Sequence, residues 1–111
     1  SKTLPLECPI CHFNALMPDL TCLVCGNTVS ERKIKESMNF KESLKSFVSN
    51  LSCEELKDLL RYDYVLVNGI GIKHPSMPRD RNIDVEIYLD KNEKTLIKTI
   101  YENICKGETF S

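Results

Sequence analysis

Four of the six cysteines in the chain lie within eighteen positions near its N-terminus. They form two Cys-x-x-Cys pairs, Cys8 with Cys11 and Cys22 with Cys25, and ten residues separate the pairs. This spacing is typical of zinc sites, in which each pair supplies two adjacent corners of a tetrahedron from one tight turn. A complete set of four thiolates leaves no open position for the water molecule that a catalytic zinc ion binds. The pattern therefore predicts one structural zinc ion held by these four cysteines.

Two disulfides or a redox pair are the other chemistries open to these cysteines. The N-terminal residues SKTLPLEC lack the apolar core of a signal peptide, so nothing in this stretch indicates the oxidising compartment in which disulfides persist. Pro9 suits the first turn, and Gly26 permits the left-handed backbone that closes the second. His12 follows Cys11 and is the one competing ligand, but four sulfurs already satisfy the ion.

The stretch resembles the short zinc-ribbon family, whose members read approximately CPxCG, ten residues and CxxCG. The resemblance covers about residues 6–30, and His12 stands where a glycine is usual. It implies a zinc ribbon. The matching residues are Cys8, Pro9, Cys11, Cys22, Cys25 and Gly26.

The same spacing is similar to the NZF class of ubiquitin-binding fingers. That class has a Thr-aromatic pair after the second cysteine and an apolar residue between the last two, and this chain has His12, Phe13 and Val24 at those places. It departs from the class at Leu6, where a tryptophan is usual, and at Asn14, which comes one position early. The resemblance implies that Phe13 and Val24 contact a partner. The departures at Leu6 and Asn14 favour a different interpretation, in which three apolar residues form the small core of the ribbon: Phe13, Leu20 and Val24.

Beyond the ribbon, the apolar periodicity first indicates helices. Ser30 is a candidate cap for a helix through ERKIKES, and two capping-box patterns follow, Asn39 with Glu42 and Ser52 with Glu55. The apolar faces of the second and third helices are predicted to contain Phe40, Leu44, Phe47, Val48 and Leu51, then Leu56, Leu59 and Leu60.

From Tyr64 the periodicity becomes that of strands. YVLVNGIGIK predicts a hairpin that turns at Asn68-Gly69, and IDVEIYL alternates as a strand buried on one face. The last segment predicts a helix with Asp90 or Asn92 as its cap and Gly107 as its stop. Its buried stripe is predicted to contain Leu96, Ile97, Ile100, Tyr101 and Ile104.

This order of elements predicts an α+β fold, with a zinc ribbon over residues 1–30 and an α+β domain over residues 31–111. The domain is expected to contain helices, a β-hairpin, a further strand and a C-terminal helix. Helices followed by a hairpin are similar to winged-helix domains. The helix that would enter a DNA groove begins with Cys53, Glu54 and Glu55, whose carboxylates repel phosphates, so a winged domain here is expected to bind protein.

Two features outside the ribbon could carry further chemistry. Cys53 lies at a predicted helix N-terminus and His74 is the only histidine beyond His12, yet no motif surrounds either, so we expect no enzyme activity and expect Cys53 and Cys105 to be buried thiols. The loop from Lys73 to Asn82 contains two prolines and is either a solvated connection or a contact loop for a protein partner. Its candidate contact residues are His74, Met77, Arg79 and Arg81.

Composition limits the class of partner. The 111 residues carry a net charge of −1 and no basic segment, so the chain lacks the field that attracts nucleic acid, and no apolar run approaches the length of a membrane span. We therefore expect a zinc-stabilised protein-interaction module of a larger intracellular assembly, in the cytoplasm or nucleus. The alternatives are a nucleic-acid-binding ribbon of transcription or replication machinery and a ubiquitin-binding adaptor.

Overall fold

Helices and an antiparallel sheet follow an N-terminal cysteine cluster, and the predicted α+β class is confirmed. The structure is a computed structural model, which describes residues 4–105. Its elements are α1 (Glu31–Ser37), α2 (Phe40–Val48), α3 (Cys53–Tyr62), β1 (Tyr64–Val67), β2 (Ile72–Lys73), β3 (Val85–Tyr88) and α4 (Lys91–Ile104).

Side-chain caps determine where three of the helices begin. The Ser30 hydroxyl accepts a hydrogen bond from the backbone N–H of the third residue of α1. At the starts of α3 and α4, Ser52 with Glu55 and Asp90 with Glu93 form reciprocal capping boxes. Each box satisfies two backbone N–H groups that have no partner inside the helix, and it confirms the predicted helix start.

The predicted capping box at Asn39 is wrong, although α2 begins where expected. Asn39 has a left-handed backbone with φ of 51°, and its side chain makes no capping hydrogen bond. The reason is that Met38, the C-cap of α1, comes directly before it, so Asn39 alone separates that cap from the first residue of α2. Asparagine tolerates that left-handed conformation better than most residues.

The sheet has strand order β2-β1-β3, and both pairings are antiparallel. Val67 pairs with Ile72 on one side and with Val85 on the other, so β1 is the central strand. The hairpin loop consequently contains residues 68–71 rather than the two-residue Asn68-Gly69 turn predicted from sequence. The Asn68 side chain closes the loop by accepting hydrogen bonds from the N–H groups of Ile70 and Gly71.

Gly69 is required for close approach of the N-terminal segment rather than for a special backbone conformation. Its N–H donates to the Leu4 carbonyl at 2.6 Å, and a Cβ atom at this position would lie 2.6 Å from the Pro5 carbonyl oxygen. A Cβ atom this close to a backbone oxygen would clash, so only glycine fits at position 69 without a shift of the backbone. The hairpin loop and the segment that enters the ribbon are therefore packed against each other.

The apolar core is one continuous cluster that joins the ribbon to the helices and the sheet. Leu6, Leu16 and Val29 enter it from the ribbon. In α4 the predicted stripe is wrong at its last residue, because the Ile104 side chain is exposed, and the predicted stop at Gly107 lies outside the described residues. The remaining aliphatic and aromatic members of this cluster are Ile34, Phe40, Leu44, Val48, Leu56, Leu59, Val65, Val67, Val85, Ile87, Leu89, Ile97 and Tyr101.

Within residues 4–105, no helix has both the length and the apolar character that crossing a bilayer demands.

Candidate metal centre

The four clustered cysteines bring their sulfur atoms together. All four Sγ atoms lie within 4.8 Å of one another. Two contacts cross between the pairs, Cys8 with Cys25 at 3.8 Å and Cys11 with Cys22 at 3.5 Å. Sulfurs at the corners of a tetrahedron around zinc, each about 2.3 Å from the ion, are separated by roughly 3.8 Å. The sulfur positions therefore fit a four-coordinate zinc ion, as the spacing predicted.

Short antiparallel bridges hold the two knuckles, which we define as residues 8–11 and residues 22–25, against each other. Leu16 bridges to Leu6 on one side and to Cys22 on the other, and Thr21 bridges to Thr28. Leu6, Leu16 and Cys22 are buried, so the segments that carry the knuckles also form the core of the ribbon. A fold with so little apolar surface around the site depends on bound metal for much of its stability.

Backbone N–H groups point at the sulfurs inside both knuckles. The Ile10 N–H donates to the Cys8 sulfur at 3.4 Å. In the second knuckle, the N–H groups of Val24 and Cys25 donate to the Cys22 sulfur at 3.4 and 3.5 Å. A donor aimed at sulfur stabilises the thiolate, which is the form that binds metal.

The surroundings of Cys22 and Cys11 give these two thiols different pKa values. The backbone hydrogen bond from Cys25, helped by that from Val24, lowers the pKa of Cys22 to about 6 against the opposing effect of burial. For Cys11 the backbone hydrogen bond of Phe13 lowers the pKa, but burial and the neighbouring sulfurs outweigh it and raise the pKa to about 12. A bound cation deprotonates all of its thiol ligands, so loading the site releases protons.

His12 is not among the ligands that the structure brings together. Its Nδ1 atom lies 3.2 Å from a carboxylate oxygen of Glu7, and its side chain points to solvent. Its backbone has φ of 67°, close to the 76° of Gly26, which closes the second knuckle. The position where the ribbon family has glycine therefore requires a left-handed backbone, and His12 adopts it despite the steric cost of a Cβ atom.

The apolar side chains that flank the sulfurs point outward. The interpretation of Phe13 and Val24 as part of the core of the ribbon is wrong, and Leu20 packs against the core only in part. These four exposed residues, which we call the knuckle tip, are Ile10 (48% exposed), Phe13 (60%), Leu23 (72%) and Val24 (57%).

The loop between β2 and β3 places its candidate contact residues in different environments. His74 is buried and its Nδ1 accepts from the backbone N–H of Ser76 at 3.1 Å, so its proton is on Nε2, which donates to the Glu55 carbonyl at 2.8 Å. Met77 and Arg81 are exposed. Arg79 forms an ion pair with Glu86 of β3. Two of the four candidates thus hold the loop in place, and Met77 and Arg81 lie at the surface.

A buried carboxylate that the sequence gave no reason to single out fixes the same loop. Asp84 is fully buried and accepts hydrogen bonds from the side chain of Asn68 at 2.9 Å and from the backbone N–H of Asp80 at 2.8 Å. It also forms an ion pair with Lys73. Burial raises the pKa of Asp84, but the hydrogen bonds from Lys73, Asn68 and Asp80 together lower it below its ordinary value.

The expectation that Cys53 and Cys105 are separate buried thiols is wrong, because they form a disulfide. Their Cα atoms lie 5.9 Å apart, and the bond joins the first residue of α3 to the residue that ends α4. The two helices pack side by side, which brings residues 52 positions apart into bonding distance. The structure does not bring Cys53 and His74 together as a pair: the Cys53 sulfur is bonded to Cys105, and both His74 ring nitrogens have other partners.

Comparison with models of protein families, with curated proteins and with solved structures finds no match to this chain. The winged-helix analogy therefore stays a prediction. What the structure supports is a cysteine cluster compatible with a zinc-binding knot.

Proposed function

We propose that this chain is a non-enzymatic, zinc-stabilised protein-interaction module that belongs to a larger intracellular assembly. The carrying observation is the closed set of four sulfurs, whose separations of 3.5 and 3.8 Å across the knuckles match those of a filled tetrahedron. A metal held in this way stabilises a fold and binds no substrate. A module of this kind acts through its surface, and we propose that this surface binds a protein partner.

Metal analysis tests the zinc site. The purified chain is expected to contain about one equivalent of zinc, because four thiolates complete one tetrahedral set. Cys22→Ser removes a ligand and is expected to lose most of the bound metal. Cys53→Ser with Cys105→Ser is the matched control, since it changes both cysteines outside the cluster and leaves no unpaired thiol there, and it is expected to retain one equivalent. Full zinc occupancy in Cys22→Ser would contradict the assignment.

Protein is the partner class that the charge distribution favours. Lys73 of β2, Arg79 of the loop that follows it and Lys94 of α4 are each paired with a carboxylate. The chain has a net charge of −1 and therefore lacks a strong positive field that would attract phosphates. Titration with single- and double-stranded oligonucleotides at two salt concentrations is expected to show weak binding. Submicromolar binding near physiological salt would instead support the nucleic-acid-binding ribbon.

Ubiquitin binding is a second candidate, and the exposure of Phe13 and Val24 favours it. Both residues occupy the contact positions of the ubiquitin-binding fingers that the sequence resembles. NMR titration of the labelled chain with ubiquitin tests this candidate. Binding lost in Phe13→Ala with Val24→Ala, and retained in Met77→Ala, would support it.

The redox state of Cys53 and Cys105 in cells tests the proposed intracellular location. Disulfides form and persist in oxidising compartments and are rare where glutathione keeps thiols reduced. Thiol trapping in cells therefore tests the location. Cys53 and Cys105 recovered as free thiols would support the cytoplasm or nucleus, and their recovery as a disulfide would favour an oxidising compartment.

A further inference from the structure

The knuckle tip surrounds the metal centre with apolar side chains. Ile10 and Val24 each follow a ligand by two positions, and their backbone N–H groups contact the sulfurs. Leu23 adjoins Cys22, and Phe13 is held by hydrogen bonds from Cys8 and Ala15 to its carbonyl. Ile10, Leu23 and Val24 therefore lie on the two knuckles and Phe13 follows the first knuckle by two positions, so the backbone of all four is held by contacts at the cysteine cluster.

The core of the ribbon does not require these side chains. Leu6, Leu16 and Val29 fill that core and are almost completely buried. Single apolar residues on a surface are ordinary, but four large ones gathered on two adjoining turns form a patch, and such patches mark interaction sites. Burial of the four side chains against a partner would recover apolar surface that the chain alone leaves in water.

The charge around the knuckle tip is negative. Residues 4–30 contain two carboxylates, Glu7 and Asp19, and no lysine or arginine. A zinc ion with four thiolate ligands carries a net charge of about −2. The His12 ring beside the first knuckle contacts the Glu7 carboxylate through Nδ1 at 3.2 Å. An apolar patch surrounded by negative charge is complementary to a partner surface that is apolar at its centre and basic at its rim.

We propose that the knuckle tip docks an amphipathic protein segment whose apolar residues are flanked by lysine or arginine. This inference rests on the proposed function, because the negative charge and the positions of the four side chains both require the loaded metal site. Apolar contact supplies the affinity, and the acidic ribbon selects the basic rim and repels phosphate backbones.

Two synthetic peptides of equal length and equal leucine pattern test the proposal, one with lysine and the other with glutamate at every polar position. Each is titrated into the zinc-loaded, ¹⁵N-labelled chain. The lysine peptide is expected to shift the knuckle-tip amides, to bind at least about tenfold more tightly than the glutamate peptide, and to weaken as salt rises. Equal binding of the two peptides, or shifts that concentrate outside the ribbon, would overturn the proposal.

Matched variants locate the binding surface. Leu23→Ser with Phe13→Ser removes apolar surface without changing a metal-ligand cysteine. This double variant is expected to lower the affinity for the lysine peptide by about tenfold or more. Ile104→Ser changes an exposed apolar residue of α4, outside the ribbon, and is expected to have no effect. Unchanged affinity in the knuckle-tip variant would also overturn the proposal. Zinc content is measured in every variant, so a failed metal site is distinguished from a failed docking surface.

Discussion

His12 occupies a backbone conformation that favours glycine, and this makes it a test of the geometry of the first knuckle. Because φ is 67°, His12→Gly is expected to be more stable than His12→Ala by about 1 kcal/mol, the approximate cost of placing a Cβ atom in the left-handed region. Both variants lose the contact with Glu7, so the difference between them isolates the backbone. Thermal unfolding of the zinc-loaded proteins measures it. Equal stability would show that residue 12 does not need a left-handed backbone.

At this scale, the clustering of the four cysteines could be predicted and the direction of the apolar side chains beside them could not. Four cysteines at a fixed spacing determine their own chemistry, since the turn geometry is local. Whether Phe13 and Val24 face the core or the solvent depends on which other residues fill the ribbon, and Leu6 and Leu16 do so. Sequence spacing alone carries no information about that competition.

Asp84 connects the loop between β2 and β3 to the hairpin, and its charge is expected to stabilise the fold. Asp84→Asn leaves Lys73 without its carboxylate partner in a largely buried place and is expected to lower the free energy of unfolding by about 1–3 kcal/mol at neutral pH. Because the pKa of Asp84 is lowered on folding, its contribution is complete above the ordinary pKa of 3.8 and disappears as the pH falls through the lower folded value.

Denaturant unfolding of the wild-type chain and Asp84→Asn, measured from neutral to acidic pH, checks this expectation. The difference between the two proteins should be constant near neutral pH and should narrow in acid. Asp19→Asn is a suitable control, because Asp19 is an exposed carboxylate in the ribbon. A gap that widens as pH falls would contradict the role given to the Asp84 charge.

Local signals determined most elements, and the misses occur where two elements meet. The capping box at Ser52 depends only on residues within four positions, so sequence was sufficient, whereas at α4 the sequence left Asp90 and Asn92 open and the structure has Asp90 as the cap. The predicted capping box at Asn39 is wrong because the end of α1 fixes the backbone of that residue. The predicted turn at Asn68-Gly69 is wrong because Gly69 contacts Leu4, which lies far away in sequence.

At the scale of the whole molecule, the bond between Cys53 and Cys105 closes a covalent loop that runs from α3 to the end of α4. By loss of unfolded-chain entropy, closing a loop of 52 residues stabilises the fold by about 4 kcal/mol. Cys53→Ser with Cys105→Ser is expected to lower the stability by an amount of this order and to retain zinc. Thiol titration of the denatured, metal-free chain should find four reactive thiols before reduction and six after it. Six thiols without reductant would show that the bond is absent.

The division of the chain at residue 30 stays a prediction. The core that the ribbon shares with the helices and the sheet determines how it can be tested. Leu6, Leu16 and Val29 join the same cluster as the helices, yet α2, α3, α4 and the sheet also pack against one another. Removing zinc is therefore expected to unfold the ribbon and leave residues 40–106 folded, because hydrophobic burial there does not depend on the metal.

Far-UV circular dichroism before and after chelation measures the helix content, and NMR of the same sample reports the ribbon. The helical signal should persist, while the ribbon amides should lose their dispersion. Gly69→Ala examines the junction, since its Cβ atom would collide with Pro5 and displace the N-terminal segment. If the two parts are separable, this variant loses order in the ribbon and keeps the helices. Complete loss of the helical signal on chelation would instead show that the metal site and the shared core fold as one unit.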